Sequence, residues 1–421
     1  MHFIKPKSIS IITFALSMAT ALPGAALAHV HDNSHDVNHD VNHDVNHGKM
    51  TLPKGEPITV EIGQRYSIDS KILAEKRDLL IHLPENYAEN PDKRYPVIYV
   101  LDGKSHFDHV TTAVGLLQES DMMPQSIVVA IPNNTKARGR DLDKGSEKFW
   151  SFIKQEVAGF VAEHYRPSAH KTLFGHSMAG AFVLEGLMND QSWFDSYIAA
   201  SPAMDNEMVK KYQNYLSTPA KPQQKQAKKT SLYFTEGIES KETLDAANQL
   251  ESLFKQKAPE SLTWHYRYLP QQVHMTTPYL TFYEGVAQGF KDYQAPSYAS
   301  YQAYVDGGAM KGLQTFYQQR AAKYQTPVAV PESVMRSIAY MTLEDGFEDK
   351  AKEMYIDLTN EFPESILSLN GLARFYDRTK ALKKSLATFE RCLVMAKAQS
   401  LYVNYFKGRV EAAKEKLAKE G

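Results

Sequence analysis

Short apolar runs recur along the middle of the chain, separated by segments with helical spacing. From residue 96 onward several runs are apolar at nearly every position, which is typical of parallel strands buried on both faces of a sheet. The alternation predicts an α/β fold, a mostly parallel sheet with helices on both faces. The predicted strands are 59–62, 79–83, 96–101, 127–131, 172–174, 197–200, 232–235 and 262–269, the first two as antiparallel edge strands.

Length and charge narrow the range of functions. The 421 residues suffice for two or three domains. Because 48 Lys and Arg residues nearly balance 49 Asp and Glu residues, attraction to nucleic-acid phosphates is not expected. Cys392 is the single cysteine, which excludes an intramolecular disulfide framework and a cysteine-based zinc site.

The first residues are typical of a secretory signal peptide. Lys5 and Lys7 precede a mostly apolar stretch at 9–19, and a small-x-small cleavage pattern ends at Ala28. The stretch is too short to cross about 30 Å of hydrocarbon, so we expect cleavage rather than anchoring. The predicted product is periplasmic or secreted, with no membrane span.

A low-complexity tract follows at 29–50, in which His-Asp-Val-Asn recurs. Asp and Asn oppose helix formation and the tract offers nothing to a core, so we expect disorder. Two interpretations stay open: a plain linker, or flexible imidazoles that gather Zn²⁺, Cu²⁺ or Ni²⁺. The histidines in question are His35, His39, His43 and His47.

The strongest chemical motif is Gly-His-Ser-Met-Ala-Gly, from Gly175 to Gly180, between two apolar runs. Strand, sharp turn and helix in that order form a nucleophile elbow, whose strained serine needs small neighbours. The usual pattern is Gly-x-Ser-x-Gly, and Ala179 replaces its second glycine. The motif predicts Ser177 as nucleophile and the Met178 amide, at the helix start, as an oxyanion donor.

Chain order then limits the partners, because the acid and the histidine follow the serine in this type of hydrolase. His265 and His274 are the two histidines after Ser177. His265 lies within an alternating strand and is expected to pack there. His274 follows that strand, where a loop can reach the serine, and is the predicted general base.

The acid is expected after the seventh predicted strand, where a carboxylate can fix the tautomer of His274. Four carboxylates are available there: Glu236, Glu239, Glu242 and Asp245. Glu239 is favoured, with Asp245 as the alternative. The loop after the third predicted strand should supply a second oxyanion donor, for which the Lys104 amide is the candidate.

Five segments together carry a family resemblance: Tyr99-Val100-Leu101-Asp102-Gly103, Arg138-Gly139-Arg140-Asp141-Leu142, the Gly175–Gly180 elbow, Ala199-Ala200-Ser201-Pro202, and His274. They resemble the esterase D-type branch of the α/β-hydrolases, in particular its periplasmic enterobactin and salmochelin esterases, over about residues 51–290. The resemblance implies a serine esterase that uses Ser177 and His274, and supports Glu239, two residues after Gly237. Such relatives often carry tryptophan after Ser-Pro, whereas Ala203 stands here, so a different substrate pocket is expected.

From about residue 331 the pattern is helical, with traces of a 34-residue period. Small, aromatic and proline residues recur as in tetratricopeptide repeats: Ala339, Ala351, Tyr355 and Pro363, then Leu369, Leu372, Ala373, Tyr376, Ser385 and Phe389. We expect a signal peptide at 1–28, the His-rich tract at 29–50, a hydrolase domain at 51–295 and a helical domain at 296–421. The helices would either bind a protein partner or a second copy, or buttress the hydrolase.

The sequence thus predicts an exported serine esterase acting on a small-molecule carboxylic ester, siderophore-type esters included, through an acyl-enzyme. That chemistry requires no cofactor. Two alternatives stay open: a non-catalytic binding or scaffold protein that uses the repeats and the His-rich tract, and an acyltransferase with the same triad.

Overall fold

The computed structural model describes residues 55–133, 135–218 and 228–420. The predicted signal peptide and the His-rich tract, with its four candidate metal ligands, lie outside these residues. The chain divides into the units Met1–Thr59 and Val60–Gly421, and every element below belongs to the second.

One sheet of eight strands organises this unit. The strands are β1 (Gln64–Ser70), β2 (Glu75–His82), β3 (Tyr95–Leu101), β4 (Ile127–Ile131), β5 (Pro167–His176), β6 (Ser196–Ala200), β7 (Thr230–Ile238) and β8 (Leu262–Val273). Their order is β1-β2-β4-β3-β5-β6-β7-β8. β3 to β8 run parallel, and β2 pairs antiparallel with both β1 and β4. The predicted mostly parallel α/β fold is confirmed.

Each of the six parallel strands corresponds to a strand predicted from the sequence. β3, β4 and β6 are buried at every position, which explains their unbroken apolar sequences. The first expected strand, at 59–62, is not a strand in the structure. The sheet instead begins with β1, whose side chains are mostly exposed or half-buried, as at a sheet edge. β2 is antiparallel as expected, but it lies inside the sheet rather than at its edge.

Helices cover both faces of the sheet. The helices are α1 (Gly103–Glu119), α2 (Ser146–Ser151), α3 (Ala158–His164), α4 (Met178–Asn189), α5 (Asn206–Ser217), α6 (Lys241–Lys257) and α7 (Thr277–Gly289), with π-helical segments at Arg140–Lys144 and Phe152–Val157. One core packs α2 to α6 against the sheet, and a second packs α1 and α7 against the other face. The carboxyl ends of the parallel strands therefore meet at one open edge, where the loops that follow them converge.

A helical region follows, as predicted. It starts with α8 and α9, which precede the helical sequence pattern seen from about residue 331. Its helices are α8 (Tyr301–Asp306), α9 (Ala309–Tyr324), α10 (Glu332–Glu344), α11 (Glu348–Glu361), α12 (Ile366–Arg378), α13 (Leu382–Gln399) and α14 (Val403–Glu420). In the described parts of the chain, no helix has both the length and the apolar character required to cross a bilayer.

The helical region contacts the α/β part of the chain at the amino ends of the strands. Arg320 of α9 forms an ion pair of 2.6 Å with Asp121, just after α1. Directly before β3, the amide of Arg94 donates to the side chain of Gln325, 2.7 Å away. α9 therefore contacts the edge of the sheet opposite to the one where the strands deliver their loops.

Candidate active site

Ser177 occupies the sharp turn between β5 and α4, with φ 61° and ψ −123°. A left-handed conformation costs a non-glycine residue on the order of 1–3 kcal/mol, so surrounding contacts must impose it. The Ser177 amide donates to the carbonyl of Ala200 at 2.9 Å, and its own carbonyl accepts from Ala181 and Ala203, both at 3.0 Å. The turn thus has the strained backbone geometry expected of a nucleophile elbow.

The glycines of the motif show why this turn tolerates Ala179. A Cβ on Gly175 would lie 2.4 Å from the carbonyl oxygen of Ala179, and one on Gly180 would lie 2.9 Å from Cα of Pro202. Ala179 itself is fully buried, so the turn accommodates its methyl group. The close approach of elbow and neighbouring loop therefore falls at Gly180, so the glycine of the usual pattern is shifted by one residue.

His274 follows β8 directly, and the structure brings it to Glu239, in the loop after β7. Nδ1 of His274 lies 2.7 Å from Oε1 of Glu239. A carboxylate can only accept, so Nδ1 carries a proton, and in the neutral imidazole Nε2 is the acceptor. The histidine side chain is 37% exposed and the glutamate side chain 13%, so the pair is reachable but not fully solvated.

Ser177 is linked to His274 through its neighbour in the chain, His176. Within the described residues Ser177 Oγ makes no hydrogen bond to the His274 ring; the contact runs through the residue before the serine, since the rings of His176 and His274 lie 4.6 Å apart. Long serine–histidine distances are common in unliganded hydrolases and shorten with substrate.

The other acidic candidates lie apart from the His274 ring. Glu242 is exposed in the first turn of α6, and Asp245 forms an i,i+4 pair with Lys241 at 2.5 Å. His265 lies within β8 as expected, and its ring contacts that of Tyr233 at 6.4 Å, although the residue is exposed rather than buried. The reason is that β8 is an edge strand, with one face largely open to solvent.

Glu236 lies inside β7 rather than in the loop. It shares a sheet face with Leu232 and Phe234, it is 0% exposed, and within the described residues neither of its carboxyl oxygens has a hydrogen-bond partner. Burial, followed by the nearby charge of Glu239, raises the pKa of Glu236 to about 9. At neutral pH this side chain is therefore a neutral acid and unsuited to orient His274.

The predicted oxyanion donors start two helices that follow neighbouring strands. Met178 is the first residue of α4, after β5, and Lys104 the second of α1, after β3. The first amides of a helix have no partner inside it and carry the positive end of its dipole. Both amides are thus available at the same edge of the sheet as Ser177.

Arg138 connects these two loops. Its guanidinium holds the carboxylate of Asp102 at 2.8–3.1 Å through two nitrogens, and one of them also reaches the carbonyl of His176 at 3.4 Å. Asp102 has φ 52° and precedes α1, so the ion pair fixes a strained turn next to Lys104. Asp141, from the same sequence motif, instead pairs with Arg77 at 2.6 Å away from this site.

The sequence did not predict the group of buried histidines that contacts His274, namely His106, His109 and His176. His106 Nδ1 lies 3.0 Å from His109 Nε2, and the His106 ring stands edge-on to His176 at 5.6 Å. Burial is the main cause that lowers the pKa of His106 to about 3 and those of His109 and His176 to about 4. All three are neutral at neutral pH. The i,i+3 spacing on α1 was the available clue.

Comparison with known proteins gives the family. The family model described as putative esterase matches residues 70–294, more than half of the chain. The ferri-bacillibactin esterase of Bacillus subtilis is 30% identical over 31% of this chain and 55% of its own length. The chain thus spans about half the length of this curated relative.

Solved structures agree on the fold. An IroE-like serine hydrolase from Shewanella oneidensis superimposes with a TM-score of 0.52 at 22% identity, covering 71% of this chain and 99% of its own. An uncharacterised protein from Capnocytophaga ochracea gives a TM-score of 0.54 at 17% identity, covering 84% of this chain and all of its own. Residues before α8 cannot supply that 84%, so the likeness extends into the helical region. By the extent of the family match, this chain belongs to the putative esterase family.

Proposed function

We propose that this protein is a serine esterase in which Ser177 is the nucleophile, His274 the general base and Glu239 the acid. The observation that supports this best is the 2.7 Å contact from Glu239 to Nδ1 of His274, which leaves Nε2 free to accept a proton. The strained turn at Ser177 and family membership add to it.

The reaction follows from this arrangement. Oγ of Ser177 attacks the ester carbonyl while its proton passes to Nε2 of His274, and Glu239 stabilises the imidazolium. The amides of Met178 and Lys104 bind the oxyanion. The imidazolium returns the proton to the leaving alcohol. Water then attacks the acyl-enzyme while His274 takes its proton, and His274 returns that proton to Oγ of Ser177 as the acid leaves.

The proposed substrate class is a siderophore-type ester. The name of the Bacillus subtilis relative, a ferri-bacillibactin esterase, supports this class. Hydrolysis of a catecholate trilactone, followed beside p-nitrophenyl acetate, tests it. Cleavage of the nitrophenyl ester alone would contradict the siderophore class and leave the esterase proposal standing.

The same assay separates the alternatives. With an added alcohol acceptor, an acyltransferase yields a new ester, whereas an esterase yields free acid. A wild-type protein that cleaves no ester and does not react with a serine-directed phosphonate would favour the binding-protein alternative. The Ser177→Ala variant, checked for native circular dichroism, supplies the blank.

For the rest of the chain we propose the domain plan expected from sequence. Helix starts 34 residues apart, α10 to α12 and α11 to α13, support tetratricopeptide-like repeats for protein contact or self-association. Export with cleavage after Ala28 is tested by the intact mass of the protein from a periplasmic or culture fraction. Zinc titration of the mature chain, with and without residues 29–48, tests whether the His-rich tract binds metal.

A further inference from the structure

We propose that His176 is a positioning residue for this active site: its imidazole holds the main chain of His274 and thereby places the general base beside the nucleophile. The inference rests on the proposed function, since it concerns the same reaction. His176 has a role different from the triad, because it acts through the main chain of His274 and not on the substrate.

The contact is direct. Nε2 of His176 lies 2.9 Å from the carbonyl oxygen of His274, and the two rings pack 4.6 Å apart. A carbonyl only accepts, so His176 carries its proton on Nε2. The ring is 5% exposed, which excludes water as a ready replacement for the donor. The loop after β8 is thus tied to the residue before Ser177.

The main chain of His176 makes a second contact, with the side chain of Arg138. Its carbonyl accepts from Arg138 at 3.4 Å, and Arg138 holds Asp102 in the oxyanion loop. Residue 176 therefore joins three loops, which carry the predicted oxyanion donor Lys104, the nucleophile and the base. Displacements near 1 Å between such groups cost roughly 100-fold in rate.

A second contact to the His274 carbonyl limits the loss of activity expected when the His176 donor is removed. The hydroxyl of Thr277 lies 3.0 Å from the same His274 carbonyl and 3.0 Å from Oγ of Ser201. It has one proton and can satisfy only one of these acceptors at a time. Loss of the His176 donor should therefore loosen the loop without freeing it, which predicts a kcat reduced roughly 10- to 100-fold rather than abolished.

The test compares two variants. His176→Phe keeps a ring against His106 and His274 but removes the donor, whereas His176→Gln places an amide nitrogen near the position of Nε2. With p-nitrophenyl acetate we expect H176F to lower kcat about 10- to 100-fold at unchanged KM, and H176Q to recover most of it. Hydrogen exchange of the peptide containing residues 271–277 should be faster in H176F.

Wild-type kcat and unchanged exchange in H176F would overturn the proposal, as would equal losses in H176F and H176Q. If H176F does not fold, H176L serves as the donor-free variant. Ser177→Ala and His274→Ala in the same assay separate the two levels. Full activity in those variants would refute the proposed function, whereas their inactivity beside an unaffected H176F would refute the positioning role alone.

Discussion

Glu236 and Glu239 are three residues apart at the end of β7, yet Glu239 lies 2.7 Å from His274 while Glu236 is buried without a partner. The strand and its loop thus deliver two carboxyls of the same type into opposite environments. The exposed loop presents a carboxylate to an imidazole, and the strand holds a carboxylic acid against an apolar core.

This contrast predicts different kinetics for two isosteric variants. Glu239→Gln should lower kcat roughly 10²- to 10⁴-fold, because an amide stabilises the imidazolium poorly and permits the wrong tautomer. Glu236→Gln is the matched control and should keep kcat near the wild-type value. Steady-state assays on p-nitrophenyl acetate check this; equal losses in both variants would contradict the assignment of Glu239.

Glu236 also predicts a dependence of stability on pH. Its pKa is raised from 4.5 to about 9, so between these values the folded chain retains a proton that the unfolded chain releases. The contribution of Glu236 to the free energy of unfolding must then fall as pH rises, by about 1.4 kcal/mol per pH unit. Glu236→Gln removes this slope, so its stability relative to wild type should rise by on the order of 4 kcal/mol from pH 5 to pH 8. Urea unfolding at both values measures it, and parallel pH profiles of the two proteins would contradict it.

The strained turn at Ser177 predicts that a glycine at this position increases stability but abolishes activity. Both Ser177→Ala and Ser177→Gly remove the nucleophile and should be inactive. Because φ is 61°, only glycine relieves the backbone, so S177G should be more stable than S177A by about 1 kcal/mol. Thermal unfolding of the pair decides the point, and an S177A that matches or exceeds S177G would show that the turn is unstrained.

His170 predicts sensitivity to acid where α9 meets the hydrolase. Its ring stacks on Phe290 at 4.5 Å, and its Nδ1 lies 3.7 Å from a carboxylate oxygen of Asp195, too far for a hydrogen bond. Burial outweighs the opposing effect of this carboxylate and lowers the pKa of His170 from 6.5 to about 4. As pH falls through this window the unfolded chain gains a proton that the folded chain refuses, so stability drops.

Replacement of His170 by phenylalanine should remove this loss of stability at acid pH. Compared with wild type, His170→Phe should gain about 2 kcal/mol of unfolding free energy on going from pH 7.5 to pH 5. Chemical unfolding at the two pH values measures the difference. A gain of the same size at both values would indicate a packing effect instead of a proton-linked one.

The parallel strands and the elbow were predictable because burial on both faces leaves an unbroken apolar run, and a strained serine requires small neighbours. β1 was missed since its residues Gln64–Ser70 are mostly polar and held by pairing with β2 alone. The expected strand at 59–62 had the right residues but no partner strand. Local patterns do not reveal which segment finds a sheet edge.

The site shows the same division. Ser177 was predicted from the elbow motif, His274 from chain order and Glu239 from its loop, whereas the burial of Glu236 depends on β7 extending to Ile238. Contacts between distant segments, such as Arg138 with Asp102 and His176 with His274, arise from the meeting of separate loops. Sequence spacing contains no information on such meetings, so tertiary structure was required.

The most direct measurement is covalent labelling by a nitrophenyl phosphonate, with the modified peptide located by mass spectrometry. If Ser177 is the nucleophile, one adduct forms per chain, on the peptide containing Ser177. It should be absent in Ser177→Ala and form far more slowly in His274→Ala. An adduct on another residue, or equal labelling of wild type and Ser177→Ala, would contradict the proposed active site.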